Sequence, residues 1–382
     1  VLTALYTIFG GMKSVLYTSV LQTPILLLGS LIILVLGFKE LGGWDEMMRV
    51  CGAVTVNDYG DTMTNLIRSN DDANFPWLGA LIGSAIIGFW YWCTDQFIVQ
   101  RVLSGKNEME ARRGTIFGAY LKLLPVFLFL IPGMIAFALH QKYIGAGGEG
   151  FLPMLANGTA NADAAFPTLV AKLLPAGVKG LVVCGILAAL MSSLASLFNS
   201  SAMLFTIDFY KRFKPETPEK KLVGIGQIAT IVIVVLGILW IPIMRSVGDV
   251  LYTYLQDVQS VLAPGIAAAF LLGICWKRTS AQGGMWGLIS GMVIGLTRLG
   301  AKVYYSNAGE VADSTFKYLF YDMNWLFFCG WMFLFCIIVV IVVSLATEAP
   351  TAEKIQGLVF GTATKEQKAA TRASWNHWDI IH

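Results

Sequence analysis

Leu78–Val99 reads LGALIGSAIIGFWYWCTDQFIV, an apolar run in which Asp95 is the one charged side chain. A helix needs about 20 predominantly apolar residues to cross a bilayer, so this run is long enough to span a membrane. It lacks the period-two alternation that a strand of a membrane β-barrel shows. We therefore predict a transmembrane helix here.

The whole chain has the same apolar character. Of its 382 residues, 56% are hydrophobic and 13% are charged, whereas soluble globular proteins carry about 25% charged residues. This composition excludes a soluble enzyme, a disordered protein and a secreted disulfide scaffold. It predicts an all-α, multi-pass protein of the cell membrane, with the lipid bilayer as a partner. The net charge of +3 is too small to indicate a nucleic-acid partner.

Nine apolar segments are predicted, and the first is short enough to be only the end of a helix. They are Val1–Gly10, Val20–Phe38, Leu78–Val99, Phe117–Leu139, Val178–Phe205, Leu222–Ile243, Val250–Trp276, Met285–Tyr304 and Met323–Thr347. We expect a transmembrane transporter domain over residues 1–348 and a polar tail over 349–382. Because the chain begins inside an apolar run, we also expect it to lack an N-terminal part.

Charged loops predict the orientation of these segments. Loops rich in Lys and Arg follow the odd-numbered segments, while the loop before Leu78 is acidic. Basic loops stay on the cytoplasmic side of a membrane. The tail after the ninth segment, which carries Lys354, Lys365 and Lys368, is therefore predicted to be cytoplasmic.

The fifth segment repeats small residues at every fourth position. Ala188, Ser192 and Ser196 share one helix face, a pattern that favours close packing against another helix. The same residues permit a second interpretation, because the hydroxyls of Ser192 and Ser193 lie near the middle of the segment. Hydroxyl and carbonyl oxygens without a carboxylate suit a monovalent cation better than Ca²⁺ or Mg²⁺. From this segment alone both interpretations stay open, with packing favoured.

Other polar and aromatic residues interrupt the apolar segments. Aromatic residues Phe89–Trp92 lie near the middle of the third segment, and Gln256 and Asp257 lie in the outer half of the seventh. Pro264 follows in the seventh segment and is able to break or kink it. Broken helices with polar residues at mid-depth are typical of secondary transporters.

Other classes of membrane protein fit less well. The chain has three histidines, all outside the predicted spanning cores, and no nucleotide-binding GxxxxGK[ST] motif. It also lacks a filter motif or rings of charge typical of a channel. We predict that the protein is not an enzyme; a transporter-like sensor stays an alternative.

Two stretches carry a family resemblance. WYWCTDQFIVQR at residues 90–101 closely resembles the signature of the sodium/solute symporter family, and in particular of its sodium/glucose cotransporters. LMSSLASLFNS at residues 190–200 resembles the sodium-site helix of the same family. The resemblance covers nearly the whole chain. It implies a LeuT-like inverted-repeat core, truncated at its N-terminus, that works as a sodium-coupled symporter of a sugar by alternating access.

The resemblance also implies residue roles. Sodium would be bound by the hydroxyls of Ser192 and Ser193 and by the carbonyl of Ala189. The substrate-site residues implied are Gln256, which would hydrogen-bond the sugar, Tyr91, which would cover it, Trp92, Lys122 and Gly88.

Two positions depart from the family pattern. Gly88 stands where sugar carriers often have Asn or Thr, so one sugar contact is expected to be missing. A polyol such as myo-inositol, or an anionic solute such as sialic acid, is therefore an alternative substrate. Ser19 stands where the family commonly has Asp, and Ala189 offers no hydroxyl. From these two absences we predict one sodium ion per sugar.

Overall fold

The computed structural model describes residues 2–155, 158–245, 251–307 and 312–375, and within them the chain forms helices joined by loops, with two isolated β-bridges. The α-helices are α1 (Leu2–Leu41), α2 (Trp44–Gly52), α3 (Trp77–Cys93), α4 (Gln96–Leu103), α5 (Glu108–Leu121), α6 (Ile131–Gly145), α7 (Ala165–Leu173), α8 (Ala176–Met203), α9 (Lys211–Phe213), α10 (Glu219–Arg245), α11 (Leu251–Cys275), α12 (Ala281–Asn307), α13 (Thr315–Lys317), α14 (Trp325–Ala346), α15 (Ala352–Ile355) and α16 (Lys365–Ala373). Three π-helical segments, Val126–Leu130, Leu204–Tyr210 and Tyr318–Asp322, adjoin α6, α8 and α13.

Six helical stretches of the described chain are long and apolar enough to cross a membrane, or seven if one bent pair counts as a span. The six are Gln22–Leu41, Glu108–Gly145, Ala176–Phe213, Glu219–Ile241, Leu255–Cys275 and Trp325–Ala346. The prediction of a multi-pass helical protein is therefore confirmed. Helix α12 covers the predicted eighth segment but is not among the six, and it carries Arg298 and Lys302.

The structure differs from the predicted segments in three places. From Leu2 onward the first two segments lie in one continuous helix, α1; residues 11–19 contain no proline that would end it. The third segment is not one helix but the bent pair α3 and α4. Helix α11 continues through Pro264 without a break, although proline removes a backbone donor.

The fourth segment is interrupted near Pro125. Helix α5 ends at Leu121, and the π-helical segment Val126–Leu130 follows Pro125 before α6 begins. His140, which directly follows the predicted fourth segment, lies buried in α6, where its Nδ1 accepts a hydrogen bond of 3.0 Å from the backbone N–H of Leu152. The partner lies 12 residues further on, in the loop that follows α6, and helix periodicity does not indicate this contact.

The chain divides into two compact units. Unit 1 comprises Val1–Val56, Thr62–Thr64 and Thr115–Val250, and unit 2 comprises Asn57–Asp61, Asn65–Gly114 and Leu251–His382. Among the described residues, unit 1 contains one buried apolar cluster and unit 2 contains two.

Unit 1 is organised by the packing of α1 along α8. Glycines allow a close approach: a methyl group at Gly29 would lie 2.5 Å from Val182, and one at Gly185 would lie 2.9 Å from Ile25. Around this pair a buried cluster joins α1, α2, α6, α7 and α8. Its members include Ile33, Leu41, Met47, Ile135, Leu139, Leu169 and Val182.

Unit 2 is built from α3, α11, α12 and α14, which pack on one another. Glycines again permit close backbones: a methyl group at Gly291 would lie 2.9 Å from the Cα of Gly265, and one at Gly83 would lie 2.9 Å from the carbonyl oxygen of Leu326. The buried apolar residues of this unit include Ile86, Ile87, Val261, Ala263, Ala267, Leu326 and Cys336.

Candidate functional site

The family-like stretch at residues 90–101 lies at a bend in unit 2. Helices α3 and α4 meet there at 49°. Asp95 caps α4, because its carboxylate accepts a hydrogen bond of 3.0 Å from the N–H of Phe97, and the hydroxyl of Thr94 donates to the carbonyl of Trp90 over 2.7 Å. Side chains that bond the local backbone compete with the helix ladder. The Thr94-Asp95 pair therefore ends one helix and starts the next.

The aromatic residues before this bend form a contact series at the end of α3. The rings of Tyr91 and Trp92 meet edge to face with centroids 5.3 Å apart, and those of Trp90 and Tyr91 are 6.2 Å apart. Trp92 is exposed and Tyr91 is half-buried. At Gly88 a methyl group would meet nothing within 4 Å. A larger side chain would fit there, and the glycine leaves that space open.

Gln256 lies on α11, which packs against α3 in the same unit. The structure therefore places Gln256 on a helix next to the one that carries Gly88, Tyr91 and Trp92. Lys122, the fifth proposed substrate residue, belongs to unit 1, where it is exposed in the turn that follows α5.

The proposed sodium residues all lie on α8 in unit 1. Ser192 is buried, and its hydroxyl lies 2.5 Å from the hydroxyl of Ser19 on α1. Ser19 is the residue that stands where the family commonly has Asp. The residue that departs from the family pattern, Ser19, is therefore in direct contact with Ser192, one of the proposed sodium ligands.

Ser193 points elsewhere on α8. Together with Ala189 it lines a small, mostly apolar cavity of unit 1. The other residues of the cavity wall are Leu26, Phe129, Phe166, Ile186 and Leu190. The two adjacent serines thus face different surroundings, as residues about 100° apart on a helix must.

Gln22 is a residue of this region that the sequence analysis missed. The contacts of Ser19 with Ser192, Ile25 with Gly185 and Gly29 with Val182 show that α1 and α8 run antiparallel. Gln22, one turn after Ser19, therefore lies at the level of Ala189. Its side-chain Oε1 is buried without a hydrogen-bond partner.

A buried acceptor without a donor is costly, so the unpaired oxygen of Gln22 fits a site that holds a cation. The sequence offered one signal: Gln22 is the one amide side chain in the apolar segment between Val20 and Phe38, which has no charged residue. Within the described residues, His, Cys, Asp and Glu side chains form no group of three that would hold a metal ion. The side-chain oxygens that the structure places between α1 and α8, those of Ser19, Ser192 and Gln22, are uncharged.

Comparison with known proteins gives consistent matches. The model of the sodium:solute symporter family matches residues 1–291. The chain is 38% identical over 363 residues to sodium/glucose cotransporter 1 of Ovis aries, covering 91% of this chain and 55% of that protein. It is 36% identical over 372 residues to sodium/myo-inositol cotransporter 2 of Homo sapiens, covering 94% and 55%, and 36% identical over 376 residues to the sodium/mannose cotransporter SLC5A10 of Bos taurus, covering 96% and 63%.

A solved structure has a similar fold. It is the substrate-bound, outward-open state of a Na⁺-coupled sialic acid symporter, with a TM-score of 0.65 and 20% sequence identity over 92% of this chain and 66% of that one. The predicted all-α, LeuT-like fold is confirmed by this likeness. The chain spans 55% to 63% of the length of the curated relatives described above.

Proposed function

The chain belongs to the sodium:solute symporter family, and we propose that the protein carries a sugar across the cell membrane by sodium-coupled symport with alternating access. It is a carrier and not an enzyme, with Na⁺ as the coupling ion and the sugar as the small-molecule substrate. The relatives are cotransporters whose names specify glucose, mannose and myo-inositol. We assign residues 1–348 to the transporter domain and residues 349–382 to a cytoplasmic tail.

One observation carries the proposal: the polar contact between α1 and α8. Ser192 meets Ser19 hydroxyl to hydroxyl in an apolar unit, and the oxygen of Gln22 lies one turn away without a donor. We assign Ser192, Ser193 and the carbonyl of Ala189 to sodium binding, and we add Ser19 and Gln22 as candidate oxygen ligands. A bound ion would satisfy the unpaired oxygen and replace the hydroxyl–hydroxyl contact.

Sodium would drive transport by favouring one conformation. A ligand shifts a conformational equilibrium only by its differential affinity for the two states. Sodium bound between α1 and α8 would stabilise the outward-open state. Substrate would then bind through the amide of Gln256, with Tyr91 and Trp92 covering it and Lys122 as a further polar contact; at Gly88 one contact would be absent.

The sodium assignment is tested by replacing both hydroxyls. Ser192→Ala/Ser193→Ala should raise the sodium concentration for half-maximal uptake about tenfold or more, since an ion in an apolar interior depends on its oxygen ligands. The matched control is Ser200→Ala on the same helix, because the Ser200 hydroxyl donates to the carbonyl of Leu197, 3.0 Å away in its own helix. Unchanged sodium dependence in the double variant would remove the assignment.

The substrate assignment is tested at Gln256. An amide both donates and accepts hydrogen bonds, as a sugar hydroxyl requires. Gln256→Leu should raise the half-saturating sugar concentration and leave sodium binding nearly intact. Transport with normal sugar affinity would make Gln256 a packing residue.

The coupling ratio remains a proposal of one sodium ion per sugar. Ser19 and Ala189 supply no carboxylate and no second hydroxyl at the positions where a second ion would need them. Reversal-potential measurements on the full-length protein test this ratio, and a ratio of two would show that other oxygens, with Gln22 the first candidate, replace the missing ligands.

Myo-inositol is the second candidate substrate, because a myo-inositol cotransporter is 36% identical over 94% of the chain and Gly88 lacks a polar side chain. An anionic solute such as sialic acid is a further alternative. A competition panel of glucose, mannose, myo-inositol and sialic acid against sodium-driven uptake separates these substrates. Ligand-dependent currents without uptake of any of them would indicate a transporter-like sensor instead.

A further inference from the structure

Three charged side chains converge where α11 packs on α12 in unit 2. Asp257 of α11 is about nine-tenths buried, and its Oδ2 lies 2.5 Å from the Nζ of Lys302 on α12. Its Oδ1 lies 3.6 Å from the guanidinium of Arg298, one turn earlier on α12, and Arg298 is fully buried. One carboxylate is therefore shared by two cations on successive turns of the neighbouring helix.

The two cations differ in what else holds them. The guanidinium of Arg298 donates to the carbonyl of Met323 over 2.8 Å and to that of Leu319 over 3.4 Å, and it lies 4.0 Å above the ring of Phe328. Its position is thus fixed by groups outside α11. The ammonium of Lys302, by contrast, has Asp257 as its hydrogen-bond acceptor. The ion pair of Lys302 therefore depends on the position of α11.

The face of α11 that contains Asp257 packs against α12 over three turns. Two turns on, Gly265 meets Gly291 closely, and at the turn between them Val261 meets Gly295; a methyl group at Gly295 would lie 2.7 Å from the carbonyl oxygen of Val261. Close backbones at one end and an ion pair at the other fix the rotation of α11 about its axis.

Gln256 is the residue before Asp257, so its side chain leaves α11 about 100° from the face that meets α12. Its direction is therefore set by the same rotation that the ion pair fixes. We propose that Asp257 and Lys302 are positioning residues that hold α11 against α12 so that Gln256 meets the substrate. This inference rests on the proposed substrate role of Gln256.

The physical reason lies in the cost of an unpaired buried charge. Removing one partner of a buried ion pair leaves the other ion uncompensated. With Lys302 gone, Asp257 would retain only the longer contact with Arg298, and the first turns of α11 would shift to shorten it. A displacement of about 1 Å at a substrate-positioning residue is enough to cost a large factor in function.

The test uses sodium-driven uptake of labelled glucose, or of labelled myo-inositol if glucose is not carried, by the full-length protein in proteoliposomes. Lys302→Met should raise the half-saturating substrate concentration about tenfold, the equivalent of one lost hydrogen bond, while the half-saturating sodium concentration changes less than about twofold. Lys302→Arg, which keeps the charge, should restore most of the substrate affinity. The matched control is Lys317→Met, since Lys317 pairs with the exposed Asp313 of the same unit.

A second variant covers the case in which Lys302→Met does not fold. Asp257→Asn/Lys302→Met leaves no unpaired carboxylate and should accumulate as folded protein, again with a raised substrate requirement and normal sodium dependence. Wild-type substrate affinity in either variant, equal shifts in substrate and sodium dependence, or failure of Lys302→Arg to restore function would overturn the inference. Absence of sodium-driven uptake by the unaltered protein would instead contradict the proposed function.

Discussion

Helices α8 and α11 both carry polar groups inside apolar segments, and each unit accommodates them differently. In unit 1 the hydroxyl of Ser192 meets the hydroxyl of Ser19; in unit 2 the carboxylate of Asp257 meets Lys302 and Arg298. A neutral hydrogen bond contributes about 0.5–1.5 kcal/mol, whereas breaking a buried ion pair costs about 3–5 kcal/mol. The α1–α8 contact is therefore suited to exchange its partner for an ion, and the α11–α12 contact is suited to stay fixed.

The largest effect is expected at Arg298, where the comparison predicts a structural role. Arg298→Met leaves Asp257 with Lys302 alone and removes the donors to the carbonyls of Leu319 and Met323. We expect a loss of about 3–5 kcal/mol of stability, seen as a large fall in the unfolding temperature of the purified protein. Arg49→Met is the control, because Arg49 pairs with Glu46 at an exposed position. An Arg298→Met protein as stable as wild type would show that the buried cation is not structural.

The glycine contacts allow a comparison of how rigidly α1 packs on α8 and α11 packs on α12. At Gly295 a methyl group would lie 2.7 Å from the backbone oxygen of Val261, but at Gly29 it would meet only the side chain of Val182. A backbone atom yields less readily than a side chain, so Gly295→Ala should destabilise by about 1–3 kcal/mol and Gly29→Ala by less. Gly300→Ala, with nothing within 4 Å, is the control for both in thermal unfolding. The reverse order would contradict the view that α11–α12 is the more rigid pair.

A smaller stability effect and a clear functional effect are expected at Ser19. Ser19→Ala removes one hydrogen bond and should cost about 1 kcal/mol or less, yet raise the half-saturating sodium concentration several-fold. Ser19→Asp should lower that concentration, because a carboxylate attracts the ion. Sodium-dependent uptake measures both. Thr23→Ala is the control, since Thr23 donates to the carbonyl of Ser19 within its own helix over 2.9 Å. Equal sodium dependence in all three variants would exclude Ser19 from the ion site.

The smallest effect is expected at Asp72, a carboxylate outside the spanning helices that is held mainly by neutral donors. Burial raises the pKa of Asp72, but the N–H groups of Phe75 and Asn74, the amide of Asn57 and the charge of Arg68 outweigh it, and the pKa lies below its usual value. A carboxylate whose pKa is lower in the folded than in the unfolded protein stabilises the fold at pH values above its unfolded pKa. This stabilisation is lost as the pH falls through the folded pKa. The Asp72→Asn variant should thus be less stable than the wild type near pH 7. This difference in stability should decrease below about pH 4.

Unfolding temperatures of the wild type and Asp72→Asn, measured between pH 7 and pH 3, check this prediction. A gap that stays constant over this range would show that the ionised carboxylate adds nothing beyond what the amide of asparagine supplies. Asp71→Asn, one residue earlier and exposed, controls for the loss of a loop charge.

The sequence by itself determined that the chain is a helical membrane protein. Apolar runs of spanning length and a charge content of 13% leave few alternatives, since a backbone in lipid must satisfy its own hydrogen bonds. The stretches at residues 90–101 and 190–200 also sufficed to indicate the family. These signals are local: one lies within a single helix, and the other crosses the bend between two consecutive helices.

Tertiary structure alone decided which polar groups face one another. Asp257 was recognisable in the sequence as an unusual charge, but its partner Lys302 is 45 residues away, and Ser19 lies 173 residues from Ser192. The unpaired oxygen of Gln22 became visible only once α1 was placed against α8. Helix periodicity specifies which face a residue occupies, but the free energy of a buried polar group depends on what lies across the interface, and one chain segment does not contain that information.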